Sequence, residues 1–213
     1  MAKSGSNASE PGMTTERIAA LTDGIFAVAM TLLVLTINLP EAGKGAAQIG
    51  LHNLLIGQMD KFVNYAVSFI ILAVFWMEHH QQFHFIKRTD ARHLWINIFS
   101  LMFVALVPFS TSLRGDYPDH WVSGIFFASN LFVLGILYLW GWVYATKGHR
   151  LVDPSLDRQR IALNIRLEAV TPLVAILAMG LSVVAPGMSS YVYLLIPILL
   201  RIGGGLSWGA KGG

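Results

Sequence analysis

Not one cysteine occurs among the 213 residues, and charged side chains make up only 13% of them. The first absence excludes disulfides, thiolate nucleophiles and zinc–thiolate centres. The second excludes an ordinary soluble enzyme, since soluble domains carry about 25% charged residues. It excludes a disordered tail protein and a coiled coil for the same reason. Fifteen Lys and Arg against twelve Asp and Glu leave a net charge of +3. Those bases are scattered between apolar runs, so nucleic acid finds no basic stripe to bind. What the chain has in excess is hydrophobic surface: 54% of its residues, with a mean hydropathy of +0.58. The composition is that of an all-α integral membrane protein.

A bilayer core about 30 Å thick needs about 20 mostly apolar residues per helix. Six stretches meet that requirement, at 18–39, 62–77, 94–113, 121–144, 169–185 and 190–206. An interfacial segment at 49–58 precedes the second. Residues 1–13 are polar and read as a disordered cytosolic tail with no signal peptide. Residues 14–213 then form one six-span domain. Basic residues orient it, because they accumulate on the cytoplasmic side. Lys3, Arg17, Lys87, Arg88, Arg92, Lys147, Arg150, Arg158, Arg160, Arg166 and Lys211 fall on one side, against Lys44, Lys61 and Arg114 on the other. Both termini are therefore expected in the cytoplasm of a multi-pass cell-membrane protein. Trp95, Trp121, Trp140, Trp142, Tyr138 and Tyr144 stand near span ends and read as interfacial anchors.

Ionisable groups inside a span are costly, which makes Asp23 of the first span a candidate for function. Six residues turn a helix by about 600°, so Arg17 and Asp23 do not share a face. The topology brings the end of the second span (Trp76, Glu78, His79) and the start of the third (His93, Asn97) to the depth of Asp23. A buried polar clasp joining the inner ends of spans one, two and three is expected, with His79 in it, since His79 shares a helical face with Trp76. His80 and His84 read as interfacial. Glu78, His80 and His84 contain an i, i+4 imidazole pair but lack the HExxH order of a zinc enzyme, and they read as a headgroup-facing loop. Ser110, Thr111 and Ser112 have no histidine at their depth, and the glycines at 203–205 follow no strand. Neither catalysis nor phosphate binding is indicated.

The first span carries Ile25, Val28, Leu32 and Leu35 at spacings of three, four and three, one face of a helix. Taken alone, such a stripe reads first as a face that packs against neighbouring helices. Gly24, Ala27 and Thr31 permit close helix approach on an adjacent face.

The run from Arg17 through Leu21, Thr22 and Asp23 into Gly-Ile-Phe-Ala-Val-Ala-Met-Thr-Leu-Leu-Val-Leu resembles the first helix of the TMEM175-type potassium channels. Their prokaryotic members are six-span proteins with an Arg-x-x-x-Phe-Ser-Asp signature. Trp76-x-x-His79 with Phe83, and Leu94-Trp95-Ile96-Asn97 leading to Pro108 and Phe109, extend the resemblance over about half the chain. Leu21 replaces the family's Phe, and Thr22 its Ser. The resemblance implies a homotetramer around one central pore lined by the first helix, with no cofactor and K⁺ as the permeant ion; Na⁺, Cs⁺ or H⁺ would pass more weakly. It places the apolar constriction on Val28, Leu32 and Leu35, a hydroxyl layer linked to K⁺ preference on Thr31, and a structural polar network on Arg17, Asp23, Trp76, His79 and Asn97. Ordinary potassium channels use a Thr-Val-Gly-Tyr-Gly filter, which this chain lacks. The competing classes are a proton-coupled secondary transporter, which would show internal repeats, and a non-conducting membrane scaffold.

Overall fold

The computed structural model describes residues 14–38 and 51–204. The expected tail at 1–13, Lys44, Lys211 and the last residues of the sixth expected span lie outside them. Within the described residues all the regular elements of the chain are helices. Its extended contacts amount to one isolated bridge between Ile86 and Val152.

Helix α1 (Thr15–Leu32) continues as a 3₁₀ segment, Leu33–Thr36. A short α2 (Leu51–Ile56) leads into α3 (Met59–Phe85), and α4 (Ala91–Asp116) and α5 (Trp121–Thr146) follow. α6 (Arg158–Glu168) and α7 (Val170–Val184) are joined at Ala169, and a 3₁₀ stretch, Pro186–Leu194, leads to α8 (Leu195–Ile202). Among the described residues five helical stretches are long and apolar enough to cross a membrane: Thr15–Thr36, Met59–Phe85, Ala91–Asp116, Trp121–His149 and Arg158–Val184. The sixth apolar stretch, Pro186–Ile202, is shorter than these. Its first half is a 3₁₀ helix, which gains more length per residue than an α-helix.

Two helices run well beyond the expected spans. α3 continues past Met77 to Phe85, so Glu78, His79, His80 and His84 lie on a helix and not in a loop. Nothing in that segment breaks a helix, and two of its polar side chains, His79 and Gln82, find partners on neighbouring helices. The fifth stretch starts at Arg158, because the polar α6 feeds directly into the apolar α7.

The core lies between α3, α4, α5 and α7, built on Ile71, Leu72, Phe75, Val104, Leu131, Leu134 and Ala175. α5 and α7 pack closely because Gly135 faces Pro172: a Cβ there would lie 2.8 Å from the proline Cδ. Two expected anchors are instead interior. Trp142 is fully buried and donates its indole N–H to Ile161 O at 3.4 Å. The Tyr138 ring is buried against Phe75. Trp95, Trp121 and Trp140 are exposed on the subunit surface. Arg114, counted among the outer loop bases, is buried at the end of α4. Its guanidinium donates to Ser189 and Ser190 at 3.2 Å and to the carbonyls of Pro118 and Pro186, fastening the last apolar stretch to α4.

Candidate functional site

α1 begins cleanly: the Thr14 hydroxyl accepts from Arg17 N at 3.4 Å, and Glu16 in the first turn complements the helix dipole. Its buried face runs Ile18, Thr22, Phe26, Ala29, Leu33 and Thr36. The other face carries Leu21 (44% exposed), Val28 (57%), Leu32 (43%) and Leu35 (65%). Beyond Leu32 the helix tightens to 3₁₀, in which residues three apart eclipse. Leu35 therefore stands almost directly beyond Leu32 along the helix axis, and the aliphatic stripe stays straight where an α-helix would let it drift. Thr31 is exposed beside the stripe and donates its hydroxyl hydrogen to Val28 O at 2.8 Å. A groove of about 470 Å³ runs along α1, lined by Ala20, Leu21, Gly24, Ile25, Val28, Ala29, Leu32 and Ala105 of α4.

The buried side of α1 is tied to α3 and α4 by polar contacts. Thr22 (0% exposed), His79 (5%) and Asn97 (7%) meet where the three helices converge. The His79 Nε2–H donates to Asn97 Oδ1 at 3.1 Å, with Thr22 Oγ1 a longer second acceptor at 3.4 Å. Asn97 Nδ2 donates to Thr22 Oγ1 at 3.4 Å, closing a three-cornered ring. The His79 imidazole stacks on Phe83 at 4.2 Å between ring centres. One helical face away, Trp76 Nε1 donates to Asp23 Oδ1 at 2.8 Å.

The start of α4 sets where Asn97 sits. Asp90 caps the helix by accepting from His93 N at 2.9 Å, and its second oxygen accepts from the Tyr144 hydroxyl at 2.7 Å. Partial burial alone would raise the Asp90 carboxyl, but the hydrogen bonds from His93 N–H and Tyr144 O–H hold it below the ordinary carboxylate value.

The expected clasp is thus divided. Asp23 is exposed on the single subunit and pairs with Trp76, while the buried contacts belong to Thr22, His79 and Asn97. Arg17 stands apart from both groups: it is exposed, and its side chain makes no hydrogen bond or ion pair among the described residues. His80 and His84 are also exposed. Among the described residues no three His, Cys, Asp or Glu side chains gather into a metal centre. Thr22 is the member that composition and cost overlooked, because a threonine in a span is unremarkable by itself. Its spacing of four from both Ile18 and Phe26 was the signal that it faces inward.

A family model described as the endosomal/lysosomal potassium channel TMEM175 matches residues 17–108. A potassium channel of Streptomyces collinus is 32% identical over 190 residues, covering 83% of this chain and 90% of that protein. A potassium channel of Chamaesiphon minutus is 30% identical over 191 residues, covering 88% and 94%. The crystal structure of a lysosomal potassium-selective channel TMEM175 homolog from Chamaesiphon minutus superposes with a TM-score of 0.78 at 28% identity, over 88% of this chain and 96% of that one.

Proposed function

This chain belongs to the TMEM175 family of potassium channels, and from that premise we propose that it forms a homotetrameric K⁺ pore lined by α1, in the cell membrane with both termini cytoplasmic. It is a channel and not an enzyme. In this reading the described residues and the last apolar stretch together make six spans, and residues 14–213 form one channel domain.

One observation carries the proposal. α1 is bound to its own subunit along Ile18, Thr22, Phe26, Ala29 and Leu33, which leaves Val28, Leu32 and Leu35 on the side facing away. A groove that includes Val28 and Leu32 runs along the same side, and its small residues Ala20, Gly24 and Ala105 leave room for a neighbouring copy to pack closely. Four such stripes around one axis make successive aliphatic rings. Those rings have no oxygens to replace an ion's hydration shell, so the narrow state blocks by dewetting. Opening requires the four α1 helices to move apart or rotate until a hydrated ion fits.

Thr31 supplies the only hydroxyl layer between the Val28 and Leu35 positions. A ring of hydroxyls favours K⁺ over Na⁺ less strongly than a cage of carbonyls, so modest selectivity is expected, with Cs⁺ and H⁺ as weaker permeants. Thr22, His79 and Asn97, with the Trp76–Asp23 bond beside them, act as the anchor against which α1 moves. Arg17, exposed at the mouth of the helix, is free to contact a neighbouring subunit. The test is K⁺ flux into liposomes holding purified channel, compared with Na⁺ and Cs⁺. Zero flux from a monodisperse tetramer supports a scaffold, and flux that saturates and requires a proton gradient supports a transporter; either result overturns the proposal.

A further inference from the structure

A second polar site lies behind the pore anchor, between α3, α6 and α8. Glu78 of α3 and Glu168 at the end of α6 line one small cavity, together with Gln82, Asn164 and Leu200. Its volume of about 20 Å³ admits one occupant of the size of a water molecule. Glu168 is only 5% exposed. One of its carboxylate oxygens accepts from Gln82 Nε2 at 2.6 Å. The other, Oε2, is buried with no hydrogen-bond partner, and so is Oε1 of Glu78. The Tyr138 hydroxyl of α5 is likewise buried and unpaired, within electrostatic range of both carboxylates.

Charge does not balance there. Glu78 and Glu168 face the cavity from α3 and α6, and Tyr138 is the titratable neighbour from α5. α8 contributes Leu200, while Arg201 beside it is exposed. No Lys or Arg among the described residues lines the cavity. A buried carboxylate without a counter-charge is strongly unfavourable, and two facing one another are worse. The donors present are oxygens of carboxylates and amides, the set preferred by hard cations.

We infer that Glu78 and Glu168, with the amide oxygens of Gln82 and Asn164 beside them, bind one small divalent cation of the hard, oxygen-preferring class. Two carboxylates match its charge, and the two amide oxygens extend the shell that two acidic side chains begin. Binding there braces α3 against α6 and α8. The site shares α3 with the pore anchor: His79 follows Glu78 directly and meets the Tyr138 ring edge-on at 6.3 Å. The ion thereby stabilises the scaffold that holds α1, without entering the conduction path.

The test uses the full-length channel in detergent. Equilibrium dialysis with radioactive Ca²⁺, in competition with Mg²⁺, is expected to give about one ion per subunit for wild type and none for Glu168→Gln. Thermal unfolding followed against CaCl₂, MgCl₂ and KCl at matched ionic strength provides the second reading. Saturating divalent cation should raise the wild-type midpoint by about 5–10 °C. Glu78→Gln and Glu168→Gln should lose that shift and Glu168→Asp should keep part of it. No bound ion in wild type, an equal response to KCl, or an undiminished shift in Glu168→Gln overturns the site. A wild-type midpoint that follows pH and ignores divalent cations also overturns it, by assigning the balancing charge to a proton. If both Gln variants fail to fold, the wild-type stoichiometry alone decides. Channel flux plays no part in either reading, so the site stands or falls separately from the pore proposal.

Discussion

α1 and α5 are both long, apolar and capable of crossing a membrane, yet the subunit treats them differently. Within its most apolar stretch α5 is 56% buried, and α1 only 28%. α5 is gripped on several sides, with Gly124 and Gly135 drawn against α7. α1 is gripped on one side only, along Thr22, Phe26 and Leu33. Hydrophobicity therefore does not distinguish a helix that the subunit covers from one that it leaves open. What distinguishes them is whether the subunit covers the apolar face or leaves it for something else.

The same substitution at one glycine in each helix should have opposite consequences. Gly135→Leu forces a side chain into Pro172, an overpacking that costs about 1–3 kcal/mol or more. Loss of folded protein on size-exclusion chromatography is expected. At Gly24 an added Cβ meets nothing within 4 Å, so Gly24→Leu should leave the subunit folded and instead split the tetramer. Folded monomers confirm that α1's free face packs against other copies, whereas an intact tetramer with wild-type flux moves the subunit contact elsewhere.

Next in size is the anchor. Asn97→Leu removes both of Asn97's hydrogen bonds and leaves His79 and Thr22 buried without them, at a cost of about 1–3 kcal/mol. A lower unfolding midpoint and altered open probability are expected. Asp23→Asn should do less, since an amide oxygen still accepts from Trp76 Nε1. An Asp23→Asn defect larger than that of Asn97→Leu would make the exposed pair, and not the buried ring, the true anchor.

The smallest effect concerns Asp90. Its carboxyl is held below the ordinary value, so its contribution to stability is present above that ordinary value and is lost as pH falls through the lower, folded one. Tyr144→Phe deletes one of the responsible bonds and should cost about 1 kcal/mol at neutral pH. In a pH series of unfolding midpoints the acid decline should be smaller and end at higher pH in Tyr144→Phe. Superimposable acid limbs would mean that Tyr144 does not hold Asp90.

Much of this was legible from residue order. Helical class followed from scarce charge and long apolar runs, and the stripe at Val28, Leu32 and Leu35 followed from spacing. The meeting of His79 with Asn97 followed from topology, because helices leaving and returning to one side share a depth. The extension of α3 through His84 was not legible, since polar residues after an apolar run look the same in a loop as on a helix with partners. Trp142 and Tyr138 were misplaced for a related reason: an aromatic near a span end reads as an anchor until Ile161 and Phe75 are seen packed around it. The motif groups Arg17 with Asp23, while within one subunit the helix turn sets them on different faces.

The central claim is that α1's uncovered stripe lines the conduction path. K⁺ uptake by liposomes containing wild type, Leu32→Ala or Leu35→Ala tests it directly, with Leu177→Ala on α7 as a control for an exposed residue of the same type. Faster uptake and a K⁺/Na⁺ ratio closer to one are expected for the two α1 variants, and no change for Leu177→Ala. Unchanged rate and ratio in both α1 variants would contradict it and turn that face toward lipid.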